Sequence, residues 1–309
     1  IYTQAMQYLD DAIADLQKED LIDPGAQDLL YQGDAEKWLK LAYGLKARYT
    51  MHLLKRSANK DADMEKVLEY VDNSFESAEE QAAFDVYDAN NINPLYGFFV
   101  ARAGLGASES MRSKLAEYND PRLSRAFITK QGASGKEQAP GTADNAVYAP
   151  NGSPEQGTSK YGTSLFMYSI SAPTLLLSYH ELKFLEAEAL CRLGRDAKSA
   201  LKDAVVAGLL NEESSFSVSR KELGKDLINP AASITEAEAE SYFDNTVEAK
   251  YTAEPLKTTM TQKYFALWGA SGEATESYND VRRMKGLGEN FIELKNPNSF
   301  PLRCPYGNS

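Results

Sequence analysis

The sequence predicts a mostly α-helical protein in which pairs of helices pack against an irregular, loop-rich region. Apolar residues recur at helical spacing near both ends of the chain, and helix-start and helix-stop signals bracket those runs. The middle loses that period and fills with Gly, Pro, Asn, Ser and Ala, the residues of turns and loops.

The elements follow in chain order. Met6, Leu9, Ile13 and Leu16 share one stripe, so the opening segment is an amphipathic helix, broken by Pro24 and Gly25. Gly33 turns the chain, and Asp34 can accept hydrogen bonds from the free N–H groups of a first helical turn. Glu36 then suits the positive end of the helix dipole. Trp38, Leu41, Ala42, Leu45, Tyr49 and Leu53 recur on one face of a helix to about Lys55, while Lys37, Lys40, Lys46 and Arg48 fall elsewhere. This periodicity makes Trp38 a core anchor; the competing role is a sugar-stacking platform. Val67, Leu68, Val71 and Phe75 mark a third helix from Met64 to Ser77.

Helix signals return at Ser178, which with Glu181 three residues on forms a capping box. Leu182, Leu185, Ala189 and Leu193 follow, ending at Gly194. Asp196 starts a partner helix through Ala197, Leu201, Val205 and Leu209. From Ser178 to Asn211 the pair has about the length of a tetratricopeptide repeat. A last helix pair lies between Glu236 and Met284, broken by Pro255, Gly269 and Gly272. The chain is read as a single domain, 1–309, with a helical scaffold in 1–83, a loop-rich ligand side in 84–173, and helical scaffold plus tail in 174–309.

The loop-rich part contains Asn90-Asn91-Ile92-Asn93-Pro94 and a Gly-, Ser- and Asn-dense stretch from Gln131 to Gly162. Loops of this length are functional or disordered. Tyrosines in polar loops suit glycan and peptide sites, because the ring stacks while the hydroxyl stays wet. The alternative is that the rings pin the loops onto the helices. Asp88, Asn90 and Asn93 lack the glycine and terminal Glu of a calcium loop and read as an Asx-rich turn.

Composition narrows the partners. The chain has 309 residues and a net charge of −12, from 45 acidic against 33 basic residues. Nucleic acid, which needs a concentrated basic surface, is a poor fit. No run approaches the ~18 apolar residues of a membrane span. Ile1 already lies in a helical pattern, so an export signal or anchor is expected to lie outside this sequence. Cys191 and Cys304 are far apart, and their pairing is left open.

Catalytic patterns are sparse. The two histidines, His52 and His180, lack a second metal-type ligand at useful spacing, and no zinc-type cysteine pair exists. HExxH, GxSxG, P-loop and GxGxxG patterns are missing. Ser57-Ala58-Asn59-Lys60 fits SxxK without its companion motifs. With 45 acidic residues, a glycosidase-type carboxylate pair stays open on sequence alone.

A series of landmarks spans nearly the whole chain. They are Asp28-Leu29-Leu30-Tyr31-Gln32-Gly33-Asp34 with Lys37-Trp38 and Leu45-Lys46-Ala47-Arg48-Tyr49; Asn93-Pro94-Leu95-Tyr96; and Asn119-Asp120-Pro121-Arg122-Leu123. Glu181 to Ala189 closing at Gly194, Gln262-Lys263-Tyr264 with Trp268, and Tyr278-Asn279-Asp280-Val281-Arg282-Arg283 complete it. In this order they resemble the SusD/RagB family, and more narrowly the SusD-like outer-membrane nutrient-binding lipoproteins of Bacteroidetes. Tyr43-Gly44 departs from the usual Asn-Ser pair, and Met284-Lys285-Gly286 from the usual Thr-Gly. Gly44 inside a helix costs about 1 kcal/mol relative to Ala.

The resemblance implies tetratricopeptide-like helix pairs packed against the loop-rich region, a SusD-like fold, with no enzymatic activity and no cofactor or metal. It implies a surface protein tethered to the outer membrane by an N-terminal lipid. That protein would capture an oligosaccharide, or a peptide as RagB-like members do, and pass it to a SusC-like TonB-dependent transporter. A helical interaction scaffold that holds no sugar is the alternative of a different class. The landmark residues read as structural, with Arg282 or Arg283 in a buried ion pair and Asp120-Pro121-Arg122 as a helix-ending turn. Ligand contacts are expected from the loops, at Tyr148, Tyr161, Asn90, Asn91 and Tyr96.

Overall fold

The computed structural model describes residues 1–19, 22–102, 106–131, 136–138, 147–152, 161–223, 227–228, 232–269 and 271–296. Most of the Gln131–Gly162 stretch and Cys304 lie outside them. Among the described residues the helices are α1 (Tyr2–Leu16), α2 (Ala35–His52), α3 (Lys60–Asp72), α4 (Pro94–Arg102), α5 (Glu109–Glu117), α6 (Arg122–Arg125), α7 (Tyr179–Arg192), α8 (Lys198–Leu223), α9 (Glu236–Tyr242), α10 (Glu248–Ala253), α11 (Pro255–Ala266) and α12 (Ala274–Leu287). Short strands accompany them: β1 (Ala82–Phe84), β2 (Phe127–Gln131), β3 (Lys136–Gln138), β4 (Thr163–Ser164), β5 (Thr174–Leu177) and β6 (Leu227–Ile228). Strands β1 and β5 form an antiparallel pair, and a second sheet has the order β4-β2-β3-β6 with β3 and β6 parallel. The fold is mostly helical, as the sequence predicts. The middle of the chain nevertheless holds α4 to α6 and strands β2 to β4, elements too short to leave a period in the sequence.

The turn before α2 explains the first landmark. Asp28 collects N–H groups: Oδ1 accepts from Leu30 (3.0 Å) and Tyr31 (3.3 Å), and Oδ2 from Gly33 (3.0 Å) and from the Trp38 indole (2.7 Å). These bonds outweigh the desolvation that would raise the carboxyl, and hold its pKa down at about 2. Trp38 meets Tyr31 edge-on (5.4 Å, 89°) and packs on the α2–α3–α7 core. Asp34 caps α2 by accepting from Lys37 N at 3.1 Å.

Three expectations need correction. Helix α3 is Lys60–Asp72 rather than Met64–Ser77, because Asn59 caps it by accepting from Ala62 N at 3.1 Å. Helix α8 runs on past Asn211 to Leu223, because Glu212 and Glu213 are not its polar end but buried partners of Arg122 and Arg125. The capping box at α7 is half made. Ser178 Oγ accepts from Glu181 N at 3.1 Å, but the Glu181 side chain turns to Arg48, and Ser178 N donates to Glu273 Oε1 at 2.5 Å instead. The other end of α7 ends as expected. Gly194 takes φ +69°, and the bonds Gly194 N→Cys191 O (3.1 Å) and Arg195 N→Leu190 O (2.9 Å) make a Schellman motif.

Helix α7 lies between two apolar cores. Leu182, Leu185 and Ala189 pack with Met51 of α2 and Val67 of α3; Phe184 and Ala187 pack with Leu201 and Val205 of α8 and Phe265 of α11. Between those faces it carries two fully buried acids. Glu181 accepts from Arg48 Nε at 2.9 Å and from its Nη2. Glu188 accepts from Arg283 Nη2 (2.8 Å) and Arg192 Nε (2.7 Å); Arg283 also reaches Asp280 Oδ1 (2.7 Å), whose Oδ2 lies 2.8 Å from Lys263 Nζ. Helices α2, α11 and α12 are thereby tied through charge to α7. Arg48, placed off the apolar face by the sequence reading, is buried, whereas Arg282 is exposed and Arg283 makes the expected ion pair.

A second cluster has one cation for two acids. Arg122 holds Asp120 through Nε (2.8 Å) and Nη2 (2.7 Å), and reaches Glu212 Oε2 through Nη1 (3.0 Å). Burial, only partly offset by Arg122, pushes Glu212 up to about 8.

Gly44 has a packing reason. A Cβ there would lie 2.5 Å from Leu177 Cδ2, 2.7 Å from Ser74 Oγ and 3.2 Å from Leu182 Cδ2, all buried side chains. Helix propensity favours Ala by about 1 kcal/mol, but overpacking costs about 1–3 kcal/mol. Gly44→Ala is therefore expected to lower the urea midpoint, and a raised midpoint would contradict this packing. Glu188→Ala removes the buried acid shared by Arg283 and Arg192 and is expected to cost about 3–5 kcal/mol by chemical denaturation. For Glu212, the unfolded chain ionises near 4.5 and the folded chain near 8, so this group's contribution is full below pH 4.5 and lost as pH rises to 8. Glu212→Gln should lose less stability between pH 5 and pH 8 than the parent; equal losses would contradict the assignment.

Candidate functional site

A cavity of about 680 Å³ lies between α5, α11 and the 291–295 segment. Its construction starts with Ser108. The Ser108 hydroxyl caps α5 by accepting from Met111 N (3.3 Å) and donates to Asn151 Oδ1 (2.9 Å). Backbone bonds Ala149 N→Ala107 O (2.7 Å) and Glu109 N→Ala149 O (3.0 Å) then lay the 147–152 segment along the start of α5. Pro150 and Asn151 thereby form one wall.

The floor is apolar. Tyr118 follows α5 and Phe265 belongs to α11; their rings meet edge-on (5.4 Å, 86°), and Phe291 and Ile292 complete the surface. Phe291 is half-buried and so keeps accessible ring area. Hydroxyls of Ser110, Ser113 and Thr261 and the amide of Asn151 stand around it, with Lys114, Lys257, Lys295, Glu109, Glu117 and Glu293 as the charged rim. Neither histidine lines this cavity. Glu293, exposed and bonded to Lys295, is held below its ordinary pKa, the opposite of what a glycosidase acid needs. The carboxyls pushed upward by burial, Glu212 and Glu273, belong to the core and do not line it. Apolar ring faces ringed by amides and hydroxyls suit binding of a polar ligand with C–H faces.

The loop residues singled out in the sequence fall at two other places. Tyr148 is half-buried; its ring meets Phe127 edge-on (5.3 Å, 84°) and lies under the Arg112 guanidinium (5.6 Å), and burial raises its phenol. Tyr161 is buried on the neighbouring segment, which Gly162 N joins to Val147 O at 2.9 Å. Asn90 and Asn91 sit in an exposed Asx turn, both N–H groups donating to Asp88 Oδ1 at 2.7 Å. Tyr96 follows on α4, whose start is capped by Asn93 accepting from Leu95 N at 2.8 Å. None of the five lines the large cavity, although Tyr148 is two residues from its wall.

Phe291, Tyr118 and Lys114 were missed because nothing local marks them. Lys114 and Tyr118 lie at α5 while Phe291 lies more than 170 residues further on, and only tertiary packing brings them together. A second groove, about 540 Å³, is lined by Tyr179, Val206 and Leu210 with Glu79, Glu236 and Glu240. Cys191 on α7 is half-buried, its Sγ 3.6 Å from the Thr259 hydroxyl.

The comparisons agree on one family. No curated protein matches the sequence. A crystal structure of a SusD/RagB family protein from Bacteroides thetaiotaomicron is 64% identical, with a TM-score of 0.95 over 99% of this chain and 66% of that one. A SusD homologue from Bacteroides fragilis (20% identity, TM-score 0.72, 97% of this chain and 65% of that one) and a chitin-binding protein (22%, 0.67, 91% and 59%) share the fold. The chain thus spans about two thirds or less of the length of each. The SusD-like family profile, described as starch-binding associating with outer membrane, matches residues 1–306. With that profile covering nearly its whole length, the chain belongs to the SusD-like family.

Proposed function

We propose that this chain is the ligand-binding part of a cell-surface protein that captures an oligosaccharide in the cavity between α5, α11 and the 291–295 segment. The observation that carries the reading is the pairing of an accessible aromatic ring, Phe291, with the amide of Asn151 and the hydroxyls of Ser110, Ser113 and Thr261 around one concave surface. Sugar rings present C–H faces that pack on aromatic faces and hydroxyls that bond to amides and hydroxyls. A starch-binding family description supports the ligand class.

In this reading Tyr148 and Tyr161 hold the wall segment against the core, and Asn90, Asn91 and Tyr96 offer a second polar surface to a longer chain. The protein binds and does not cleave. An N-terminal lipid anchors it at the outer membrane, and a SusC-like TonB-dependent transporter receives the ligand.

Calorimetry with neutral oligosaccharides of the malto, xylo and chito series tests the site. Phe291→Ala is expected to weaken binding by about tenfold or more, the usual cost of removing an aromatic anchor. Unchanged affinity would reject the cavity. Binding of oligopeptides with no glycan binding would turn the reading to peptide capture, and release of reducing ends would replace capture by hydrolysis.

A further inference from the structure

The charges around the cavity are satisfied unevenly. Lys257 is bonded to Glu254 at 2.8 Å, and Lys295 to Glu293. Glu109 accepts from the Ser113 hydroxyl at 2.9 Å, with Arg112 at 3.9 Å, and Glu117 is exposed to solvent. Lys114 differs from the other two lysines. It is half-buried, its Nζ donates to Ser110 Oγ at 2.7 Å, and among the described residues no carboxylate lies within 4.0 Å of it. Burial lowers the pKa of its ammonium; Glu293 works against this and Lys295 with it. A cation that has left part of its water without gaining a counter-ion, on the wall of a cavity with an apolar floor, matches an anion carried on a ligand.

We infer that the cavity takes an oligosaccharide bearing carboxylate groups, one of which pairs with Lys114. This deepens the capture reading and rests on it. The Ser110 hydroxyl holds the ammonium at the wall, and Phe291 supplies the face on which the adjoining sugar ring packs. Lys114 sets specificity by charge, because a neutral sugar in the same place leaves the ammonium without a counter-ion.

The test uses uronate-bearing oligosaccharides of several backbones (oligogalacturonate, oligoalginate, hyaluronan fragments), each beside its methyl-esterified or carboxyl-reduced counterpart. Calorimetry is run on the parent chain, Lys114→Met and Phe291→Ala. The expected result is that at least one acid form binds about tenfold more tightly than its neutral counterpart, the worth of one charged hydrogen bond. Lys114→Met should erase that preference while retaining the weaker neutral binding. Sulfated oligosaccharides lacking uronate form a further arm, and a preference for them over every uronate overturns the carboxylate assignment. Glycan binding that is lost in Phe291→Ala but shows no acid preference in the parent chain, or an acid preference that persists undiminished in Lys114→Met, overturns this inference and leaves the capture reading standing. Glycan binding that survives both substitutions, or no glycan binding at all, overturns both.

Discussion

Everything in this fold depends on how two acids in the middle of one helix are neutralised. Glu181 and Glu188 are fully buried on α7, with apolar cores on either side. An isolated carboxylate in such a place costs several kcal/mol even after relaxation. The chain meets that cost by bringing cations from other helices. Arg48 arrives from α2 at Glu181, and Arg283 from α12 at Glu188, while Arg192 on α7 itself shares Glu188. Burial alone would raise both acids; Arg48 and Lys263 outweigh it at Glu181, and Arg283 and Arg192 at Glu188. Apolar packing is tolerant of small shifts, whereas a bidentate guanidinium–carboxylate pair fixes the relative position of two helices. The ionic ties therefore set the register of the scaffold, and hydrophobic burial supplies most of its stability.

Charge balance also explains where protons reside. At Arg48 and at Arg122 a single guanidinium faces two buried carboxyls. In each cluster one acid stays below its ordinary range or is held bidentately, while the other, Glu273 or Glu212, is pushed upward by burial. These shifted groups lie in the scaffold and arise from unequal numbers of buried acids and bases. A shifted carboxyl here marks architecture.

Much of the scaffold was legible in the sequence, because its signals are local. Asp34, Ser178 and Gly194 mark helix ends by rules that need only a few neighbouring residues, and apolar spacing reveals the faces of α2 and α7. The ordered landmarks pointed to the family. Buried charge was not legible: Arg48, Glu188, Glu212 and Lys263 look like solvent-facing residues until the partner helix is in place. Glu181 shows the limit well, since its capping signal was half right and its carboxylate went to a helix more than a hundred residues away. The cavity was less legible still. Its lining joins α5, α11 and the 291–295 segment, and the tyrosines that stood out along the chain are drawn toward the core, Tyr148 against Phe127 and Tyr161 out of solvent.

The scaffold and the site meet at α11. That helix gives Lys263 to the buried ionic network on one side and Thr261 and Phe265 to the cavity on the other. The floor of the cavity is thus fixed by the same interactions that fix the helix pairs. The most direct measurement is a crystal structure of the protein with a bound oligosaccharide. Sugar density between α5 and α11, one ring packed on Phe291 and hydroxyls bonded to Asn151 or Ser113, is the result this account predicts. Density at another surface, with this cavity filled only by water, would contradict it.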